Sequence, residues 1–204
     1  MKTTSSNTCK ICRRLGQSVC GREKCAFKRK PYPPGIHGKA FRRGLSEYGL
    51  QLRDKQRVKF LYGLRERQFK KYILSSVAQK TIPTGEAIIR SLEMRLDNVV
   101  YRLGIASTRK AARQIVGHGH IAVNSKSVSA SSYKVKVGDE IKIKERSAQK
   151  NLFANLPTVL KKYSPPEWLA LDKDSFAGKI VSHPPIDEFN KTYNISSIVE
   201  YYSR

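Results

Sequence analysis

Two hydrophobic patterns divide the chain beyond residue 46. Up to about residue 116, apolar residues recur every three or four positions, the spacing that places them on one face of a helix. From about residue 120 to residue 145, short segments alternate apolar and polar residues, as strands with one buried face do. The pattern predicts an α+β protein with a mostly helical domain and a small module of helices packed on antiparallel strands.

Capping residues and glycines predict where the first helices begin and end. The Ser46 hydroxyl can cap a helix that ends at Gly63, because serine accepts a hydrogen bond from the first free backbone N–H groups. The next segment, LRERQFKKYILSSVAQK, places Phe69, Ile73 and Val77 at intervals of four. These three side chains are predicted to be buried in a second helix.

A longer apolar stripe follows. Thr84 is predicted to cap one helical stretch whose stripe continues to Leu103, where Gly104 supplies a left-handed helix end. Ser107 is predicted to cap a shorter helix, TRKAARQIV. Two helices joined by a glycine-containing turn and followed by strands form a layout typical of compact nucleic-acid-binding modules.

Turn residues separate the predicted strands. HIAVNSKSVS predicts two strands with a turn at Asn124-Ser125-Lys126, and YKVKVGDEIKIKE predicts a hairpin that turns at Gly138-Asp139. One face of this hairpin should meet the core, and its lysines should meet solvent or RNA. The predicted core-facing residues are Val135, Val137, Ile141 and Ile143, and the lysines are Lys134, Lys136, Lys142 and Lys144.

The C-terminal quarter of the chain predicts shorter elements. A helix over residues 147–164 should be interrupted by Pro157. Short strands are expected around Trp168 and Ile180, with a turn at Gly178. The amphipathic tail SSIVEYYSR is expected to fold back onto earlier helices.

The chain is strongly cationic, with 40 Lys and Arg against 16 Asp and Glu and a formal net charge of +24. Such a protein repels itself unless a polyanion neutralises it, and nucleic acid is the usual partner. A membrane partner is disfavoured because no apolar run approaches the ~18 residues of a spanning helix. Since the first residues lack the apolar core of a signal peptide, we expect a cytosolic protein.

All four cysteines lie within CKICRRLGQSVCGREKC, as the pairs Cys9-x2-Cys12 and Cys20-x4-Cys25. Two close pairs separated by a short segment match a tetrahedral site, and thiolates suit zinc. Four protein ligands leave no open position, so one zinc ion would be structural. An iron–sulfur cluster accepts the same ligands and is the alternative, and four reduced, unliganded thiols are the simplest competing interpretation.

The first 45 residues form a basic arm with twelve Lys and Arg and one acid, too polar to bury a core alone. Prolines and glycines in KRKPYPPGIHGKAFRRG exclude a long helix. Its cations and rings can follow a nucleic-acid backbone and stack on bases. A flexible tether anchored by its own aromatic residues is the alternative.

Five ordered motifs resemble one protein family. RLDNVVYRLGIASTRKAARQIVGHGHIAVNSKSV, together with YKVKVGDEIKI, resembles the RNA-binding module named after ribosomal protein S-four. YPPGIHG, LRDKQ, YGLRERQFKKY and VEYYSR resemble that ribosomal protein family itself, so that the likeness covers essentially the whole chain. The family more often has Gln in place of Ile36 and Gly in place of Ser125.

The resemblance implies a structural protein of the small (30S) ribosomal subunit, not an enzyme, that takes no small-molecule substrate. It implies early binding to the 5′ domain of 16S rRNA, contact with ribosomal protein S-five and with mRNA near its entry path, and a contribution to decoding accuracy. The implied location is cytoplasmic, in the ribosome, and the four-cysteine version of the family holds a metal. The implied organisation is a metal-binding basic arm (1–45), a helical domain (46–93, completed by the tail 186–204) and the S-four-type RNA-binding domain (94–185).

Basic residues on predicted outer faces are candidate RNA contacts. Arg109, Lys110 and Arg113 are predicted to lie together on the exposed side of their helix, with His118 and His120 at the edge of the module. An ordinary solvated surface charge is the alternative for each cation. The remaining candidates are Arg13, Arg14, Lys28, Arg29, Lys30, His37, Lys39, Arg42, Arg43, Arg53, Arg57 and Arg67.

Two other functional classes fit a basic chain. An RNA-modifying enzyme could carry the same module, but the phosphate-loop, H-E-x-x-H and G-x-S-x-G motifs are missing from the sequence. Asp97 and Asp139 would be the candidate catalytic acids of such an enzyme, but they fall in a helix and a turn, where the common role of aspartate is capping. A zinc-bearing DNA regulator is the third class, and duplex DNA should then displace the RNA.

Overall fold

The computed structural model describes residues 8–41, 44–173, 175–190 and 192–203. The chain forms two compact units. One contains the residues up to Gln79 together with those from Glu188 onward, and the other runs from Lys80 to Asp187. Compactness does not test the three functional segments expected from the sequence, which stay a prediction. No helix within the described ranges is both long enough and apolar enough to cross a membrane.

Helices dominate both units, and every strand found in the described residues belongs to the second one. The helices are α1 (Thr8–Leu15), α2 (Ala26–Arg29), α3 (Glu47–Leu61), α4 (Glu66–Ala78), α5 (Thr84–Glu93), α6 (Leu96–Arg102), α7 (Arg109–Gly117), α8 (Glu145–Ala148), α9 (Leu156–Lys161), α10 (Asp187–Asn190) and α11 (Ile195–Ser203). Single 3-10 turns lie at Ile36–Lys39 and Asn151–Phe153. The strands are β1 (Ile121–Val123), β2 (Lys126–Ser127), β3 (Glu140–Ile143), β4 (Leu169–Asp172) and β5 (Ala177–Ile180).

The first unit is a helical cluster that the C-terminal helix completes. The Ser46 hydroxyl accepts a hydrogen bond from the Gly49 N–H at 3.2 Å, so the predicted cap of α3 is confirmed. Gly63 has φ 60° just beyond the end of α3, as a left-handed helix terminus requires. The tail folds back as predicted, since α11 packs against both α3 and α4.

The second unit packs helices against an antiparallel sheet with the strand order β2-β1-β3-β5-β4. The register places Ile121 opposite Ile143 and Val123 opposite Ile141, so these apolar side chains share one core. The turn predicted at Asn124-Ser125-Lys126 is present as a two-residue hairpin turn: Asn124 and Ser125 both have positive φ, 48° and 67°, and Lys126 is the first residue of β2. The α+β class is therefore confirmed.

Three predicted helix details are wrong. The stretch from Thr84 to Leu103 is two helices, because Arg95 between them is extended and the backbone on either side of it hydrogen-bonds the segment around Tyr133. Thr84 is the first helical residue after Pro83 and does not act as the cap. The cap of α7 is Thr108, whose hydroxyl accepts from the Ala111 N–H at 3.2 Å, and not Ser107.

Three predicted burial and turn positions are also wrong. Val77 is exposed, and Ser76 takes the buried position of that helical turn. Residues 135–137 form no strand, so the predicted hairpin is absent. Its second strand, β3, pairs with β1 and β5 instead, and Val137 is exposed to solvent. Gly178 lies within β5, where a Cβ atom would come 2.4 Å from the Leu103 side chain. Glycine is needed there for close approach, and not for a turn.

The helix predicted over residues 147–164 is wrong, because the segment forms the end of α8, a 3-10 turn and α9. Pro157 stands in the first turn of α9, where its missing N–H costs nothing, and does not interrupt a helix. The remaining C-terminal predictions are confirmed. The predicted strands around Trp168 and Ile180 are β4 and β5.

Candidate nucleic-acid interface and metal centre

Helix α1 and the following loop bring the cysteines together. The sulfur atoms of Cys9, Cys20 and Cys25 all lie within 4.8 Å of one another. The buried Cys12 sulfur interacts with those of Cys20 and Cys25 and accepts a hydrogen bond from the Val19 N–H at 3.4 Å. Sulfurs bound to one tetrahedral ion at about 2.3 Å stand about 3.8 Å apart, so this cluster is close to a metal-binding arrangement.

The thiols differ in their electrostatic environment. Burial raises the pKa of the Cys12 thiol to about 12. Burial acts in the same direction on Cys25, but hydrogen bonds with Ser18, the Phe27 backbone and neighbouring thiols lower the pKa of Cys25 to about 7. Of these two thiols, Cys25 is the more readily deprotonated, which suits a cation because metal binding requires deprotonated cysteines.

Arg13 of α1 contacts the loop over residues 31–41 in the same unit. The Arg13 guanidinium donates to the carbonyls of Tyr32 and Pro33, at 2.9 and 3.2 Å, and lies 4.9 Å from the centre of the Tyr32 ring. The Lys39 ammonium lies 5.4 Å from the same ring centre. Arg13 therefore holds the loop in shape, and Ile36 and Phe41 are left 98% and 94% exposed at its surface.

The other candidates of the first unit divide into exposed and internally bonded cations. Arg57 donates to the Leu15 carbonyl at 3.1 Å and pairs with Asp54 at 3.1 Å, so it links α3 to α1. Arg53 is half-buried on α3. The predicted contacts Arg42 and Arg43 lie outside the described residues. The exposed candidates are Arg14, Lys28, Arg29, Lys30, His37, Lys39 and Arg67.

In the second unit, Asp97 is the centre of a buried ion network. Its carboxylate accepts two hydrogen bonds from Arg95, at 3.0 and 2.8 Å, and two from Arg113, at 2.9 and 2.6 Å. The Asp97 side chain is 3% exposed, whereas that of Arg113 is 35% exposed. Asp97 thus holds a partly exposed guanidinium from inside the protein.

Glu93, at the end of the preceding helix, acts in the same way. Its carboxylate accepts from Arg102 at 3.0 Å through each oxygen and from Asn98 at 2.8 Å. The side-chain oxygen of Asn98, Oδ1, in turn accepts a hydrogen bond from Arg109 at 2.8 Å, and the Arg109 guanidinium lies over the Tyr101 ring, 4.5 Å from its centre. Two of the three predicted helix cations are therefore fixed by buried acceptors.

The remaining module candidates are placed differently from one another. Lys110 is exposed on α7, and His118 is exposed just beyond that helix. His120 is buried, with its Nδ1 atom 3.0 Å from the Ser147 hydroxyl and its ring against Phe153. Burial first, and then the charge of Lys150, lowers the pKa of His120. A direct RNA contact stays a prediction for all of these residues.

Sequence reasoning missed Glu93, Asn98 and the network role of Asp97. One signal in the sequence points to the two acids: acids are scarce in this chain, yet Glu93 and Asp97 both fall within the longest apolar stripe. A carboxylate in an apolar stripe needs a buried cation, and Arg95, Arg102, Arg109 and Arg113 are the nearby choices.

Comparison with known proteins identifies the family. The model of the "Ribosomal protein S4/S9 N-terminal domain" matches residues 4–93, and that of the "S4 domain" matches residues 94–141. The chain is 44% identical over 202 residues to the small ribosomal subunit protein uS4 of Natranaerobius thermophilus, with 96% of each chain covered. The chain belongs to the uS4 family.

Other uS4 proteins are equally similar. The chain is 47% identical over 203 residues to the small ribosomal subunit protein uS4 of Aquifex aeolicus, with 96% of this chain and 95% of the relative covered. It is 45% identical over 202 residues to that of Caldicellulosiruptor bescii, with 96% of each chain covered. The resemblance stated from the five motifs is confirmed. So is the expectation that the chain is not an enzyme, because uS4 proteins are ribosomal proteins.

Proposed function

We propose that this uS4-family chain is a structural protein of the small (30S) ribosomal subunit that binds rRNA. The observation that carries the proposal is the segregation of charge in the second unit. Its carboxylates Glu93 and Asp97 are 3% exposed, while Arg102 and Arg113, which pair with them, are 26% and 35% exposed. A polyanion approaching this surface meets cations first, in a chain whose net charge is +24.

The specific target is the 5′ domain of 16S rRNA, bound early in assembly. Folding an RNA junction brings phosphates together against their repulsion, and cations fixed on a rigid protein surface relieve it. The proposal also includes contact with ribosomal protein S-five, contact with mRNA near its entry path and a contribution to decoding accuracy. The family and the exposed cations of the basic arm support it. The proposed location of the protein is the cytoplasmic ribosome.

Salt dependence of binding to a transcript of the 16S 5′ domain tests the proposal. Lys110→Glu reverses an exposed charge and should weaken binding. It should also reduce the slope of log K against log salt concentration by about one, because fewer counterions are released. Lys162→Glu, an equally exposed lysine of the same unit outside the candidate set, is the matched control. Equal slopes for both variants and the unmodified chain would remove α7 from the interface.

We also propose that Cys9, Cys12, Cys20 and Cys25 hold one zinc ion. With four sulfur ligands, the ion would cross-link α1 to the loop before α2 and supply a structural constraint instead of catalysis. The support is the close approach of three sulfurs with the fourth beside two of them.

Metal content and the absorption spectrum of chain purified without oxygen test this assignment. One equivalent of zinc with no visible absorption is expected. Iron with sulfide would replace zinc by a cluster, and the absence of any metal would contradict the site.

A further inference from the structure

The ion network around Asp97 and Glu93 holds more cation than its acids require. Four arginines, Arg95, Arg102, Arg109 and Arg113, surround the two carboxylates, and the network keeps a net formal charge of +2. Two arginines would have neutralised both acids. Of these arginines, Arg102 and Arg113 are 26% and 35% exposed, so the cationic excess among these ion pairs is accessible to an anion from outside.

The position of these cations also opposes the helix that carries them. Arg109 and Lys110 are the first two residues of α7, and no acid stands in its first turn. The positive end of the helix dipole disfavours cations at this place. Contacts with Asn98 and Tyr101 offset this cost for Arg109. Among the described residues no such contact holds Lys110, and the binding of a polyanion would explain its position.

We propose that Asp97, Glu93 and Asn98 are positioning residues for RNA: they hold the guanidinium groups of Arg113 and Arg109 in place to receive phosphodiester groups. This inference rests on the proposed function. Its unexpected element is the charge of the positioning residues, since two of them are acids that promote the binding of a polyanion.

The geometry supplies the mechanism. A free arginine side chain gives up rotamer freedom when it binds phosphate, and one already held by hydrogen bonds has little left to lose. Arg113 is held through its Nε and one terminal nitrogen, both bonded to the same Asp97 oxygen. The acids are 3% exposed, so burial keeps them from facing RNA phosphates directly.

Removing one acid gives opposite results under two accounts. If charge alone governs binding, then Asp97→Asn, which removes one negative charge, strengthens binding to an RNA. If Asp97 positions Arg113, the same change weakens binding, because the guanidinium loses its charged acceptor. Glu140→Gln is the matched control, since Glu140 is a surface-accessible acid of the same unit and is paired only with the exposed Lys142 among the ion pairs described.

The experiment uses the full chain and a transcript of the 16S 5′ domain, with thermal unfolding recorded for each variant. Asp97→Asn is expected to lower affinity about tenfold, and Glu140→Gln is expected to leave it unchanged or raise it slightly. A folded Asp97→Asn chain that binds as well as or better than Glu140→Gln would overturn the proposal.

A second pair of variants applies if Asp97→Asn does not fold. Arg113→Lys keeps the charge and loses the fork geometry toward Asp97, and Lys110→Arg is its charge-conserving control on the exposed side. Arg113→Lys should bind about fivefold more weakly with an unchanged salt slope, and affinity equal to that of the control would overturn the proposal. A failure of the proposed function itself is distinguished by the unmodified chain, which would then bind duplex DNA as tightly as it binds the transcript.

Discussion

Replacing Glu66 by glutamine removes the negative charge, and one of the two acceptor oxygens, on which three side chains of the first unit converge. Lys55 donates to one Glu66 oxygen at 2.8 Å, Lys59 donates to the other at 2.9 Å, and the Tyr202 hydroxyl donates at 2.7 Å. The Lys55 side chain is only 5% exposed, so Glu66→Gln leaves a buried ammonium without its charged partner. Because Tyr202 belongs to α11, the substitution also weakens one hydrogen bond that ties the tail to α4.

The magnitude follows from the burial of the two partners. Breaking a fully buried ion pair costs about 3–5 kcal/mol, but an exposed pair contributes only about 0–1 kcal/mol. The Glu66 side chain is 46% exposed, so solvent screens it, and we expect the first unit to lose about 1–2 kcal/mol.

The same contacts predict a dependence on pH. Burial alone raises the pKa of Glu66, but hydrogen bonds from Lys55, Lys59 and Tyr202 outweigh it and lower that pKa to about 2, from an ordinary value of 4.5. The stabilisation is therefore complete above pH 4.5 and is lost as the pH falls toward 2.

Native-state hydrogen exchange of α3 and α11 amides in low urea measures this loss in the first unit alone. Glu23→Gln removes the same charge from an exposed position of that unit and serves as the control. If Glu66→Gln and Glu23→Gln gave the same opening free energies at pH 7, Glu66 would not support the buried lysine.

Three further predictions concern other regions of the chain. Gly178→Ala should destabilise the second unit by about 1–3 kcal/mol, because its Cβ atom would meet the Leu103 side chain at 2.4 Å; an unchanged melting temperature would contradict this contact. Burial lowers the pKa of His120, so the second unit should lose stability as the pH falls below the ordinary histidine value of 6.5, and urea midpoints at pH 5 and pH 7 should converge in His120→Gln. Phe41→Ala should leave stability unchanged, because this ring is 94% exposed, but should weaken RNA binding by about 1–3 kcal/mol if the ring stacks on a base; equal affinity would exclude stacking.

Local sequence signals predicted the elements whose causes are local. The Ser46 cap, the left-handed Gly63 and the Asn124-Ser125 turn each depend on residues a few positions away, and each is present in the structure. The break at Met94 and Arg95 is different, because it depends on backbone pairing with residues 131–135. Periodicity shows a continuous apolar stripe there and carries no sign of that distant partner.

The candidate interface shows the same division between local and distant causes. Charge and spacing located Arg109, Lys110 and Arg113 on one helix, but only tertiary structure separates the exposed Lys110 from the two arginines held by buried acceptors. The sequence likewise predicts a turn at Gly178, because its packing partner, Leu103, is remote along the chain.

Competition binding measures the central claim most directly. The full chain is bound to a labelled transcript of the 16S 5′ domain at physiological salt, and unlabelled transcript or duplex DNA of equal phosphate content is added. We expect the transcript to displace the label at concentrations at least about a hundredfold below those of the DNA, because a folded rRNA supplies shape as well as phosphates. Equal displacement by both competitors would show that the cationic surface reads charge alone, and would contradict a specific rRNA-binding role.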